Sequence, residues 1–206
     1  MAELCFKFGV MGCSKTAQAL ITKFNYEERG MKVMLMKPSV DDRDGAATVK
    51  SRIGLEAEAL AVSDTDDVFG IFKRDYADCD VVIVDEAQFL TPDQVDGLAR
   101  IVIEENVPVL CYGLRTDFTT HMFPGSRRLF EIADRITEIT SVCKCGAKAT
   151  VNARIDDEGN VLTTGDQVVI GGNDRYQVMC RKCWLEKTKW QQLTIFRSPA
   201  PGSDKV

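Results

Sequence analysis

Three groups of residues in this chain have types and spacings that could do chemistry. The first is Gly9-Val10-Met11-Gly12-Cys13-Ser14-Lys15-Thr16. It follows a short apolar run, Leu4-Cys5-Phe6-Lys7-Phe8, and leads into a segment where Ala17, Leu20, Ile21 and Phe24 recur with helical spacing. Strand, small-residue loop, Lys-Thr and helix form the setting of a phosphate-binding loop. There, successive backbone N–H groups wrap the phosphates and the helix N-terminus adds its positive end. Lys15 would bridge the outer phosphates, and the Thr16 hydroxyl would hold Mg²⁺. The second group is Asp85-Glu86, directly after the apolar run Val81-Val82-Ile83-Val84. A carboxylate at the end of a buried parallel strand can organise Mg²⁺, and its neighbour can take a proton from a nucleophile. The third group is two close cysteine pairs, Cys143/Cys145 and Cys180/Cys183. In a reducing compartment such pairs read as a structural zinc site with four protein ligands and no open position.

The first motif departs from the common G-x-x-x-x-G-K-[ST] pattern, because Ser14 stands where the second Gly belongs. That position often needs a conformation easier for Gly than for Ser. Gly12 offers freedom two positions earlier, and we expect an adapted loop in which the turn shifts there and spares Ser14.

The elements that must hold these groups follow from hydrophobic periodicity. Residues 3–8 read as a first strand, 15–29 as a helix stopped by Gly30, and 32–37 as a second strand ended by Pro38, which together make a right-handed βαβ unit. The polar stretch 39–47 then lies on the same sheet edge as the phosphate loop. It carries Arg43, suited to a bidentate phosphate contact, and Lys50 and Arg52 follow. A short strand is expected at 59–62, a helix at 65–77, and the buried strand at 81–84. Thr91-Pro92-Asp93-Gln94 is a capping box with Pro at the first helical position, ahead of the stripe Val95, Leu98, Ala99, Val102 and Ile103. Another strand is expected at 107–112, a helix at 128–133 and a strand at 136–139. The loop 113–123 carries Leu114, Phe118 and Phe123, which could line a pocket for a flat ligand or anchor the loop to the core. Beyond residue 141 the composition changes. Residues 149–155 and 161–162 read as a hairpin around Asp157-Glu158-Gly159-Asn160, and the stretch from Gln167 to Tyr176 could lay its backbone against a ligand.

The expected fold class is therefore α/β: a P-loop NTPase-like parallel sheet flanked by helices, with a small zinc-ribbon-like β domain. The expected division is a nucleotide-binding domain over residues 1–140, a zinc-binding domain over 141–197, and a disordered Pro/Gly/Ser-rich tail over 198–206. A net charge of −5 argues against a broad basic face for nucleic acid. No run reaches the length of a membrane span, and the chain begins directly in a strand with no signal peptide, so a cytoplasmic protein without membrane partners is expected.

The phosphate loop, Asp85-Glu86-Ala87-Gln88-Phe89, Tyr112-Gly113-Leu114-Arg115-Thr116-Asp117-Phe118, the two Cys pairs, and Val169-Ile170-Gly171-Gly172-Asn173-Asp174-Arg175-Tyr176 occur in the order seen in type II thymidine kinases. The chain resembles that family from about residue 3 to about residue 190. The resemblance implies transfer of the ATP γ-phosphoryl group to the 5′-hydroxyl of thymidine, giving dTMP. It makes Glu86 the general base and Arg43 a contact to the phosphoryl group, and it brings Asp85, Ala87 and Gln88 into the ATP-binding set with the loop Gly9–Thr16. It implies that Leu114, Phe118 and Phe123 form the thymine pocket, and that Val168, Val169, Ile170, Gly171 and Tyr176 belong to a lasso closing over the nucleoside. It further implies structural Zn²⁺ on Cys143, Cys145, Cys180 and Cys183, catalytic Mg²⁺, a homotetramer and dTTP as feedback inhibitor. The C-x-C pair departs from the C-x₂-C of many members but matches the shorter form of bacterial relatives. Two other readings stand beside it. One is a P-loop ATPase whose zinc ribbon binds nucleic acid or a protein partner; the other is a nucleotide-binding regulator without catalysis, motivated by Ser14.

Overall fold

The computed structural model describes residues 1–41, 45, 47–165, 167 and 175–188. Arg43, residues 168–171 of the expected lasso and the expected tail at 198–206 lie outside the described residues. In chain order the first elements are β1 (Leu4–Gly9), α1 (Lys15–Glu27), β2 (Val33–Pro38), β3 (Thr48–Lys50), β4 (Glu56–Glu58), β5 (Leu60–Val62) and α2 (Val68–Asp75). They are followed by β6 (Val81–Val84), a 3₁₀ turn at Ala87–Phe89, α3 (Pro92–Glu105), β7 (Val109–Gly113), α4 (Pro124–Ile132) and β8 (Arg135–Ile139). Last come β9 (Val151–Ile155), β10 (Val161–Leu162), β11 (Tyr176–Met179) and α5 (Arg181–Lys187).

Six strands form one sheet in the order β5-β2-β6-β7-β1-β8, and every pairing in it is parallel. All their C-terminal ends therefore share one edge. The sheet is covered on both sides. Along β6, Val82 and Val84 pack with Phe6, Leu98 and Ile101 under α2, α3 and α4, while Val81 and Ile83 pack with Leu20 and Tyr112 under α1. All four β6 side chains are fully buried, as an uninterrupted apolar run requires. A second, three-stranded antiparallel sheet, β10-β9-β11, lies beyond residue 141 and carries the thiol cluster with it. No helix among the described residues is long and apolar enough to cross a membrane.

Local chemistry explains most boundaries. The Thr91 side chain accepts from the Gln94 N–H at 3.2 Å, and the Gln94 side chain accepts in return from the Thr91 N–H at 3.1 Å, so α3 starts at its capping box. Pro124 opens α4 four residues before the periodic segment expected at 128, again at the first helical position. The hairpin of β3 and β4 was not anticipated. Its strands are three residues each, too short to show a period of two. Neither β11 nor α5 was anticipated; α5 is capped by the Cys180 sulfur, which accepts from the Cys183 N–H at 3.4 Å.

The expected sparing of Ser14 is not what the loop does. Gly12 has φ +70°, but Ser14 also sits in the left-handed region at φ 67°, ψ 19°. The first turn of α1 holds it there, because the Gln18 N–H bonds to the Ser14 carbonyl at 2.9 Å. A side chain at such a φ costs about 1–2 kcal/mol. A Gly costs part of this back through the unfolded chain, about 0.4–1 kcal/mol. Ser14→Gly should therefore stabilise the protein by about 0.5–1 kcal/mol, read as a higher urea midpoint at unchanged m-value. A loss of stability of that size would show that the Ser14 hydroxyl, which donates to the Cys13 carbonyl at 2.5 Å, outweighs the strain.

Candidate active site

The phosphate loop leaves β1 and enters α1, Asp85-Glu86 follows β6, and the segment from Leu114 to Phe123 follows β7. Because β7 lies between β1 and β6, these three stretches meet at one edge of the sheet. They line a cavity of about 550 Å³ with the β3–β4 hairpin and Tyr176. Of the residues singled out from the sequence, Met11, Gly12, Ser14, Lys15, Thr16, Glu86, Gln88, Leu114, Phe118, Phe123 and Tyr176 border this cavity. Gly9, Val10, Cys13, Asp85 and Ala87 stand behind it. A Cβ on Gly9 would lie 2.4 Å from the Cys13 sulfur and 2.5 Å from the Ile139 carbonyl oxygen, so only Gly fits there. Val10 and Cys13 turn away from the cavity into the core around the thiol cluster.

At one end of the cavity Lys15, 7% exposed, donates to the Val10 carbonyl at 2.8 Å and contacts the Cys13 sulfur at 3.8 Å. Its ammonium is thereby held inside the curve of the loop. Beneath it lies Asp85, 4% exposed, with its Oδ1 buried and without a hydrogen-bond partner among the described residues. Burial, and after it the charge of Glu86, lift the Asp85 carboxyl to about 7; the Thr16 side chain, the Glu86 backbone and Lys15 pull the other way.

Glu86 stands at the cavity wall with φ 49°, a left-handed conformation unusual outside Gly. Its carboxylate accepts from Gln88 Nε2 at 2.5 Å, and Gln88 Oε1 accepts from the Leu114 N–H at 2.9 Å. Gln88 is wholly buried, and it links the carboxylate to the apolar end of the cavity. The room for it is made by Gly113, where a Cβ would approach Gln88 Oε1 to 2.9 Å.

At that apolar end, Phe89 and Phe123 meet edge to face with centroids 5.5 Å apart. Phe118 is covered by the Arg154 guanidinium, 3.8 Å from its ring centroid, and Arg154 also donates to the Tyr176 hydroxyl at 3.1 and 2.9 Å. Sequence reasoning did not single out Arg154 or Asn152, and it gave Phe89, Asp117 and Gln167 no role of their own although they stand in the quoted segments. Asp117 is buried; its Oδ1 accepts from the Thr119 and His121 N–H groups, and its Oδ2 accepts from Gln167 Nε2 at 2.9 Å. The only signal for Phe89, Asp117 and Gln167 was their place in those segments; Asn152 and Arg154 had only their place in the expected strand 149–155.

Behind the loop, the sulfurs of Cys143, Cys145, Cys180 and Cys183 lie within 4.8 Å of one another, a group that could hold a metal ion. N–H groups of Cys145 and Cys180 pull the Cys143 thiol down from its ordinary value, to about 6. Shared hydrogen bonds with Cys180 and Cys145 push Cys183 up to about 12. Four thiols this close cannot all ionise without a cation between them.

The family model for thymidine kinase matches residues 2–184. The chain belongs to the thymidine kinase family. A thymidine kinase of Enterobacteria phage T4 is 46% identical over 92% of this chain and 98% of its own length. Those of Zymomonas mobilis and Idiomarina loihiensis are 44% and 42% identical, covering 91% and 90% of this chain and 98% and 97% of their own. Membership of a kinase family makes the chain a phosphotransferase, and the cavity has the parts such chemistry needs: a phosphate loop, a held cationic group and two carboxylates.

The burial of Asp85 has a measurable consequence. Between the ordinary carboxyl value of 3.8 and about 7, the folded chain keeps a proton that the unfolded chain has released. This contribution to stability is largest at acid pH, falls as pH rises through that window, and stays low above it. Asp85→Asn cannot ionise. In buffer free of added divalent cations it should melt roughly 10 °C above the wild type at pH 8, at about 1.4 kcal/mol per pKa unit and 2–4 °C per kcal/mol for a chain of this size, and close to it at pH 4. Equal or lower melting at pH 8 would show that the ionised carboxylate is not a burden to the fold.

Proposed function

We propose that the chain transfers the γ-phosphoryl group of ATP to the 5′-hydroxyl of thymidine, giving dTMP and ADP. One observation carries the reading: a single buried side chain, Gln88, joins the Glu86 carboxylate to the Leu114 backbone of the apolar pocket. A base that must take a proton from a bound nucleoside has to be placed relative to the pocket that binds it. The Phe89, Phe118 and Phe123 rings suit a flat pyrimidine, and the phosphate loop lies at the other end of the same cavity. Glu86 accepts the 5′-hydroxyl proton as that oxygen attacks the γ-phosphorus. Lys15 and the loop N–H groups hold the charge on the phosphates, and Gln88 keeps Glu86 aimed.

The orphaned Oδ1 of Asp85 next to Thr16 fits a hard cation with oxygen ligands. These two residues would hold Mg²⁺, which when bound supplies charge neutralisation at the phosphates. The four-thiol cluster suits Zn²⁺, with a closed tetrahedral site whose role is folding. Arg43 as a phosphoryl contact, residues 168–171 as a backbone lasso over the base, and the division at residues 140/141 are parts of the same proposal. So are a homotetramer, inhibition by dTTP and a cytoplasmic location, which rest on family resemblance. The ATPase reading is not favoured: the family match spans the whole cavity, thiol cluster included.

ADP release measured with and without thymidine tests the reading. Release that depends on thymidine is expected. Release independent of thymidine, raised by RNA or DNA, would select the ATPase, and none at all the regulator. Glu86→Gln should keep binding of both substrates and lower turnover by about 10²–10⁴-fold; unchanged turnover would remove Glu86 from the role of base. Protein purified under reducing conditions without chelator should hold one zinc per chain, and Cys180→Ser should lose it and melt at a lower temperature. A metal-free wild-type protein of full activity would end the zinc assignment.

A further inference from the structure

Asn152 lies on β9, in the small sheet, and is 3% exposed. Both ends of its amide are engaged across the boundary with the larger sheet. Its Oδ1 accepts from the Met11 backbone N–H at 2.7 Å, and its Nδ2 donates to the Thr116 backbone carbonyl at 3.3 Å. Met11 is in the middle of the phosphate loop, and Thr116 lies between Leu114 and Phe118 in the loop that makes the nucleoside pocket. Asn152 is also paired in register with Val178 of β11, the strand that begins at Tyr176. One side chain thus touches the ATP end, the nucleoside end and the sheet that carries Tyr176.

We propose that Asn152 is a positioning residue that couples the two substrate sites, so that filling one tightens binding at the other. The amide can satisfy both partners in only one orientation, since the reverse would set its NH₂ against the Met11 N–H. In a buried setting, losing either partner costs the full desolvation of an unpaired polar group. The position of the Thr116 carbonyl therefore fixes the amide, and the amide fixes the acceptor that Met11 needs. A separate contact fixes the phosphate-loop half of this connection. Val10 and Cys13 of the phosphate loop pack in one core with Val151 and Ala153, the neighbours of Asn152 along β9. When thymidine closes on the Leu114–Phe118 segment, that segment and the phosphate loop are ordered together, and the ordering cost is met once for both ligands. Arg52 faces Gly12 from the β3–β4 hairpin, but it is exposed, and no hydrogen bond or ion pair among the described residues orients it.

The inference rests on the reading of ATP at the phosphate loop and thymidine in the pocket. Its test is titration calorimetry with a non-hydrolysable ATP analogue and Mg²⁺, with and without thymidine, and with thymidine, with and without the analogue. Wild type, Asn152→Ala and Asn152→Ser are compared; the serine hydroxyl is too short to span both partners and guards against a poorly folded alanine variant. Zinc content and melting temperature report on folding. In the wild type, each ligand should tighten the other by the same factor, at least about fivefold, as linkage requires. In the variants that factor should fall to within about twofold of one. A merely structural role would weaken each ligand alone and leave the factor in place, so a folded variant that keeps the wild-type factor overturns the inference. A wild-type factor of one overturns it as well. Wild-type protein that binds neither ligand would overturn the kinase reading itself, and this inference with it.

Discussion

A buried carboxylate with one oxygen left over, at the end of a fully buried strand, is the constraint on which the site depends. β6 has no side chain open to water, and Asp85 continues it into a position where Oδ1 has no hydrogen-bond partner among the described residues. Such a group either keeps its proton or, once ionised, needs positive charge beside it. Lys15 and the start of α1 are the sources that the chain itself brings to it. The parallel sheet brings them together, because it ends every strand at the same edge and sends the chain from β1 straight into α1. The strain at Ser14 and Glu86 belongs to the same arrangement. Both are non-Gly residues at positive φ, and both lie in the turns that aim groups into the cavity.

The phosphate loop has two faces with different duties. Its backbone and Lys15 face the cavity, while Val10 and Cys13 are buried with Cys143, Cys180, Met179 and Trp184. The small sheet and its thiol cluster are therefore the support against which the loop is folded, as well as the origin of Tyr176. Gly9 shows how close that packing is, since even a methyl group there would collide with the Cys13 sulfur and the β8 backbone. A metal ion in this cluster would hold together the ground under the phosphate loop and under the strand that begins at Tyr176.

At the apolar end of the cavity, buried polar groups fix the aromatic ring and the loop that carries it. Arg154 ties Phe118 to Tyr176, and Asp117 ties the pocket loop to Gln167. A pocket held this way has little freedom to adapt, because moving any one member leaves a buried donor or acceptor without a partner.

What the sequence determined by itself was whatever depends on local pattern. The strand-loop-helix order around Lys15, the apolar run before Asp85, the capping box at Thr91 and the paired thiols were legible because backbone geometry and ligand spacing are written within a few residues. The tertiary structure alone decided what depends on residues far apart. Gln88 was legible as part of a motif, but its role in joining Glu86 to Leu114 appears only when β6 and β7 lie side by side. The strain at Ser14 is set by the helix that follows it and by the packing of Cys13. Nothing near Asn152 in the chain points to Met11, which is 141 positions away; only the folding of the small sheet onto the phosphate loop makes that hydrogen bond. A buried side-chain hydrogen bond needs two specific atoms in one place, and one-dimensional spacing holds no information about that once the partners belong to different sheets.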